Sequence, residues 1–197
     1  MSTEKKLIEV VLGNVKIDYP SLFEKAIYPK YPRDEKERKY ACSFLLNKTK
    51  HSEKVEEIKT LIETLFKENK IALESENHKV FKDLAPMAKA DESKKILRDY
   101  YRVSSSNFSR PKLTDKNNDP VIDKELIKRG SIVHAMVTFF INGNNTVSCR
   151  LEHVKHLRDD DPILTGNAPK DATDKFAMLL DDVAPESEEL ESDHIPF

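Results

Sequence analysis

Tryptophan is absent, and glycine and cysteine are scarce, with four and two residues in a chain of 197. No apolar run approaches the ~20 residues that a membrane-spanning helix needs. Each scarcity removes a class of function. Four glycines supply no phosphate-cradling loop, and there is no Gly-x-Ser-x-Gly elbow or Cys–His pairing to suggest a nucleophile. Cys42 and Cys149 lie far apart in apolar, strand-like surroundings, which predicts buried reduced thiols rather than a metal pair or a disulfide framework. With no signal-peptide core in Met1-Ser2-Thr3-Glu4-Lys5-Lys6, the expectation is a cytoplasmic protein. His153 and His156 have the spacing of neither a zinc helix nor a strand pair. Asp159-Asp160-Asp161 offers ligands for a Mg²⁺-dependent nuclease, but it opens a linker where nothing fixes ligand geometry, so a solvated turn is the better reading. The expectation is therefore no enzyme, no cofactor and no metal.

What the chain does have is charge, unevenly spread. The formal net charge is only −2, yet Asp181 to Phe197 holds seven acids and no Lys or Arg. Taking those seven from the 35 acids leaves 28 against all 33 Lys and Arg, so residues 1–180 carry about +5. A basic body joined to an acidic end is a recurring sign of a nucleic-acid binder that carries a competitor for its own groove. A mildly basic domain with a solubilising tail gives the same balance, so charge alone does not decide.

Periodicity divides the chain into a folded body over 1–160, a linker over 161–180 with a short apolar patch at Phe176-Ala177-Met178-Leu179-Leu180, and an acidic, disordered tail over 181–197. Leu7 to Ile17 predicts a bent strand with Gly13 as a bulge, ended by Asp18-Tyr19-Pro20. A second strand is expected over Lys39 to Leu46. Over 52–70, Val55, Ile58, Ile62, Leu65 and Phe66 recur at helical spacing, with Leu61 beside them. Short helical pieces are expected around Pro86, an extended segment from Leu97 to Phe108, and a polar turn over Asp115 to Asp119. A short helix from Asp123 to Arg129 should stop at Gly130. Ser131 to Ile141 is the strongest strand, turning at Asn142-Gly143-Asn144-Asn145 into Thr146 to Val154. About five strands with one substantial helix predict a mostly β protein with helical insertions, an OB-fold-like five-stranded barrel; periodicity alone leaves a sandwich or an α+β sheet open.

The segment richest in binding chemistry is 98–112. Arg98, Arg102, Arg110 and Lys112 stand against one acid, Asp99, with Tyr100, Tyr101 and Phe108 interleaved. Binding of a single strand uses this mixture, cations along the backbone and flat rings under the bases. Strand alternation puts Tyr100, Arg102, Ser104, Ser106 and Phe108 on one face and Tyr101 and Val103 on the other. The serines mark the first face as the solvated one. An edge strand with a buried tyrosine would look similar. A second basic–aromatic stretch holds Tyr28, Lys30, Tyr31, Arg33 and Lys39, though its acids also fit a solvated loop. On the strongest strand Val133, Ala135, Val137 and Phe139 form an apolar face, while Phe140, opposite them, is placed either to stack or to pack.

The chain ends on Asp193-His194-Ile195-Pro196-Phe197, and its last residue carries both a ring and the α-carboxylate. A pocket with a basic rim and an apolar floor would capture both. The ending resembles the C-terminal tip of bacterial single-stranded DNA-binding proteins, which closes on Asp-Ile-Pro-Phe; here His194 separates Asp193 from Ile195, Pro196 and Phe197.

The body is similar to the phage single-stranded DNA-binding proteins of the OB-fold type. The likeness rests on Gly13-Asn14-Val15 leading to Tyr-Pro-Ser-Leu-Phe at 19–23, and on Tyr40 to Leu46 before the helix. It continues through Leu97-Arg98-Asp99, Arg110 to Asp115, and the Gly130 to Phe140 strand with its Asn-Gly hairpin. After Arg-Asp that family has a small or Gly-containing element where this chain has Tyr100-Tyr101. The resemblance implies sequence-independent binding of single-stranded DNA in phage replication, recombination and repair, in the host-cell cytoplasm. It also implies a tail that recruits a DNA polymerase, helicase/primase, exonuclease or recombinase, and it leaves a homodimer open. The rival readings are a protein-interaction adaptor without DNA binding and the Mg²⁺-dependent nuclease.

Overall fold

The computed structural model describes residues 6–27, 34–71 and 79–163. Among these described residues, seven strands and two α-helices follow in chain order. They are β1 (Ile8–Ser21), β2 (Tyr40–Asn47), α1 (Ser52–Glu68), β3 (Phe81–Asp83), α2 (Ala85–Ala90), β4 (Tyr100–Asn107), β5 (Lys112–Thr114), β6 (Ile132–Ile141) and β7 (Val147–Arg158). Short 3₁₀ segments occupy Glu35–Glu37 and Glu92–Asp99. The sheet order is β3-β4-β2-β1-β6-β7-β5, and a parallel pairing of Ser106 with Arg150 joins β4 back to β7. Five strands thus close on themselves, with β3 and β5 appended. This is the expected mostly β, OB-fold-like barrel with helical insertions.

Alternation decides what lies inside. On β6, Val133, Ala135, Val137 and Phe139 are buried, as their spacing predicts. They meet Val10, Leu12, Val15 and Ile17 of β1, Phe44 and Leu46 of β2, Val103 of β4, and Leu151 and Val154 of β7 in one core. Helix α1 closes that core with Val55, Ile58, Leu61, Ile62, Leu65 and Phe66, the face its periodicity marks. Each such side chain contributes about 1.5–3 kcal/mol on burial, so the helix is held mainly by this stripe. It ends without glycine: Lys70 takes the left-handed conformation (φ 56°), and the Asn69 side-chain amide donates to the Leu65 carbonyl at 2.7 Å.

The bend in β1 falls at the anticipated place, where the pairing with β6 slips between Leu12 and Val15; Asn14 rather than Gly13 adopts the positive φ of 52°. Asp18-Tyr19-Pro20 does not end the strand. β1 runs on to Ser21 across a second irregularity between Asp18 and Ser21, with Tyr19 at φ 48°. The expected helix over Asp123 to Arg129 is absent and turns take its place. Too short to sustain itself, it also has an internal competitor, since the Asp123 carboxylate accepts the Glu125 amide at 2.9 Å. Leu97 likewise lies in the 3₁₀ segment, and its side chain joins Leu45, Leu84 and Ile163 in a smaller cluster outside the barrel. The polar turn forms as expected, with Asp115 accepting the amides of Asn117 and Asp119 at 2.8 and 2.9 Å. The loop from Tyr28 to Arg33, the patch at 176–180 and the tail lie outside the described residues.

Gly130 adopts φ 98°, and a Cβ there would sit 2.5 Å from the Pro162 nitrogen and 2.6 Å from the Asp160 carbonyl oxygen. Both the backbone conformation and the close approach of the segment after β7 therefore require glycine. Gly130→Ala should lower stability by about 2 kcal/mol or more in a urea titration, whereas a change within about 0.5 kcal/mol would contradict this packing.

Cys42 and Cys149 are free and buried, as expected. Burial pushes the Cys42 thiol up to about 12, partly offset by its hydrogen bond with Ser105, and burial also raises Cys149 well above the usual thiol range. Both remain protonated near neutral pH and present no thiolate for attack. A thiol reagent at pH 8 should modify neither in the native protein and both in urea; rapid native labelling would contradict the burial.

Candidate nucleic-acid interface

β2 and β4 pair antiparallel over their whole length, from Tyr40↔Asn107 to Asn47↔Tyr100. Phe44 and Val103 consequently face the core. Ala41, Ser43, Leu45, Arg102, Ser104 and Ser106 lie on the opposite face. That outer face has two halves. At one end Leu45 and the half-buried Tyr100 are covered by Leu84, Ala88, Leu97 and Ile163. At the other, Ala41, Ser43, Ser104 and Ser106 floor an open groove of about 540 Å³.

The groove has rings and cations at its margins. Phe108, 56% exposed, follows β4, and Lys39 places its ammonium 4.4 Å from the centre of that ring. Phe140 on β6 pairs across the hairpin with Ser148, and Arg150 lies two residues further along β7. Tyr19 and Lys79 complete the lining. The hairpin is braced by Asn142, whose side-chain amide donates to Thr146 Oγ1 at 2.7 Å and Ser148 Oγ at 2.8 Å. Arg150 Nε donates to Glu152 at 2.5 Å, so part of its charge is met within the protein.

The structure separates the site residues expected from the sequence. Lys39, Phe108 and Phe140 come together in this groove. Arg102 lies on the same strand face, opposite Leu45 and Lys82 at the covered end, and its Nε is buried with no hydrogen-bond partner among the described residues. Arg110 and Lys112 line a separate depression with Phe23, Pro111, Ile122 and Lys124, and the Arg110 guanidinium stands 4.9 Å from the Phe23 ring centre. Arg98 is exposed on the 3₁₀ segment, and Tyr100 packs in the smaller cluster instead of lining the groove. Tyr101 faces the core and stacks on Phe81 at 4.9 Å. Tyr28, Lys30, Tyr31 and Arg33, like Asp193, Ile195, Pro196 and Phe197, lie outside the described residues.

Sequence reading missed Tyr19, Lys79 and Arg150. For Arg150 a signal existed: Val147, Cys149 and Leu151 alternate inward, which sends Ser148 and Arg150 outward. Tyr19 stood only as a break in a strand pattern, and Lys79 sits in a stretch without periodicity.

The histidines and acids considered for metal chemistry have other partners. His153 hydrogen-bonds Thr114 at 2.8 Å; burial, then Lys112 and Lys155, hold its imidazole below the usual range. Asp159 and Asp160 pair with Lys128 at 3.3 Å and Lys16 at 3.2 Å, and those lysines lower both carboxyls. Among the described residues no three His, Cys, Asp or Glu gather in a way that would hold a metal ion. Among them, too, no helix is long and apolar enough to cross a membrane.

Solved structures share this fold. The single-stranded DNA-binding protein from bacteriophage Enc34, in complex with ssDNA, superposes with a TM-score of 0.65 at 20% identity, covering 79% of this chain and 89% of that one. A C-terminal truncation of the same phage protein gives 0.64 at 21% identity, over 79% and 88%. For gp2.5, a single-stranded DNA-binding protein encoded by bacteriophage T7, the values are 0.50 and 14%, over 98% and 100%. No protein of curated function matches by sequence. The family model described as Enterobacter phage Enc34, ssDNA-binding protein, matches residues 8–190, nearly the whole chain, and the protein belongs to that family of phage ssDNA-binding proteins.

Proposed function

We propose that this protein binds single-stranded DNA without regard to sequence, in the groove over β2 and β4. The observation that carries the reading is the groove's make-up: a floor of small hydroxyl side chains, rings at the margin (Phe108, Phe140, Tyr19), and cations beside them (Lys39, Lys79, Arg150). Exposed rings stack on any base, at about 1–3 kcal/mol each, and cations neutralise phosphates that are the same in every sequence. β2 and β4 are the second and third strands of the barrel, the face by which OB-folds hold oligonucleotides. Arg102 adds a positive charge on the same strand face, while Arg110 and Lys112 extend the positive surface beyond it. A groove of hydroxyls, rings and cations has no evident use in an adaptor that binds only protein, and among the described residues the nuclease reading finds no ligand set.

The protein acts in phage DNA replication, recombination and repair, in the host-cell cytoplasm. It covers exposed single strands and recruits replication or recombination enzymes through Asp193, Ile195, Pro196 and Phe197. The seven acids of Asp181–Phe197 support a further step, in which the tail competes with DNA for the basic surface and is released when DNA binds.

In full-length protein, an oligo(dT) strand should bind at least about tenfold more tightly than duplex of equal length. Phe108→Ala should weaken that binding about 5- to 150-fold, the equivalent of one stack. Equal affinity for both DNA forms, or an unaffected variant, would overturn the reading. Lys39→Gln should make the plot of log K against log salt shallower by about 0.7, the share of one phosphate contact on a single strand. Deleting residues 181–197 should raise ssDNA affinity at low salt, with the gain fading near 1 M, where screening acts over about 3 Å. Unchanged affinity at low salt would refute the competition.

A further inference from the structure

Tyr19 is an unusual residue to find at a groove margin. It is 59% exposed, although a large ring gains nothing from water, and its backbone holds a positive φ of 48°. Non-glycine residues seldom adopt that conformation, least of all a bulky one directly before a proline such as Pro20. The pairing of β1 with β2 is interrupted at this point, between Asp18 and Ser21. A strained, exposed ring persists only where its surroundings hold it.

The holding group is visible. Arg129 lays its guanidinium 4.6 Å from the centre of the Tyr19 ring, and its Nη2 lies 3.5 Å from the phenol oxygen. The same guanidinium donates through Nε to Asp18 at 2.6 Å, and the Asp18 side chain is only 11% exposed. Main-chain bonds lock this corner from beneath. The Gly130 amide donates to the Ile17 carbonyl at 2.9 Å, and the Ile17 amide donates to the Ser131 carbonyl at 3.0 Å. Asp18 thus fixes Arg129, and Arg129 covers one face of Tyr19.

We infer that Tyr19 is a stacking platform for a DNA base, and that Arg129, anchored by Asp18, is the positioning residue that holds it. This rests on the groove being the ssDNA site. A base takes the face of the ring opposite Arg129, while the guanidinium draws on its π density and restricts its rotation. Less conformational freedom is then lost when the base arrives. Arg129 acts through the ring and need not touch a phosphate.

The test uses full-length protein and a fluorescent oligo(dT) strand, with thermal melts to confirm that each variant is folded. Tyr19→Ala should bind about 5- to 150-fold more weakly, and Tyr19→Phe, which keeps the ring, should lose less than Tyr19→Ala. Tyr19→Asn, which tolerates the left-handed backbone, replaces the alanine variant if that one fails to fold. Arg129→Gln should weaken binding without changing the salt slope, and should cause no further loss in a Tyr19→Ala background. Because that change leaves the Asp18 carboxylate uncompensated, Asp18→Asn combined with Arg129→Gln is measured beside it and should behave alike. Tyr19→Ala binding as tightly as wild type overturns the platform. A slope shallower by about 0.7 with additive losses makes Arg129 a phosphate contact and overturns the positioning role. A wild-type protein that fails to prefer ssDNA overturns the functional reading itself, a result distinct from either.

Discussion

The eight-residue antiparallel pairing of β2 with β4 is the constraint on which the rest depends. It places Phe44 beside Val103 in the core and Ser43 beside Ser104 outside, where the two hydroxyls lie 3.4 Å apart. A slip of one residue would turn every side chain of one strand over, burying serines and exposing Phe44 and Leu46. The cost of exposing those core side chains, about 1.5–3 kcal/mol each, is what holds the register. The groove floor is in that sense the reverse side of the hydrophobic core.

Closure of the barrel then brings the margins in. β4 is flanked by β2 along its length, and its other edge is shared between β3 near Tyr101–Val103 and β7 near Ser106. The β7 contact draws Ser148, Arg150 and the paired Phe140 next to the serine floor. The second irregularity of β1 delivers Tyr19 from another side, and the cluster of Leu45, Leu84, Leu97 and Ile163 fills the remainder of the same face. The groove therefore stops where the outer face changes from serine to leucine.

Much of this was legible in the chain. The helical stripe of α1 and the alternation of β6 marked their buried faces residue by residue, because burial on one side imposes a period that local sequence cannot hide. The division of β4 into an inner and an outer face was legible for the same reason, and with it the exposure of Phe108 just beyond the strand. What escaped is what only tertiary contact creates. β3 and β5 are three-residue strands that exist by pairing with β4 and β7, and no period can be read from three residues. Tyr100 looked equivalent to Phe108, yet Leu84, Ala88 and Leu97, folded back over the sheet together with Ile163, pack one and leave the other open. Tyr19 belongs with Arg129, 110 positions later, and only barrel closure makes them neighbours.

The central claim is that one side of the β2–β4 pair is core and the other holds the DNA. Amide chemical shifts of the full-length protein, followed by NMR as oligo(dT) is added, test it most directly. The account predicts the largest changes at Tyr19, Ser43, Ser104, Ser106, Phe108 and Ser148, with little change along α1. Shifts centred on α1, or confined to the depression around Phe23 and Ile122, would contradict it.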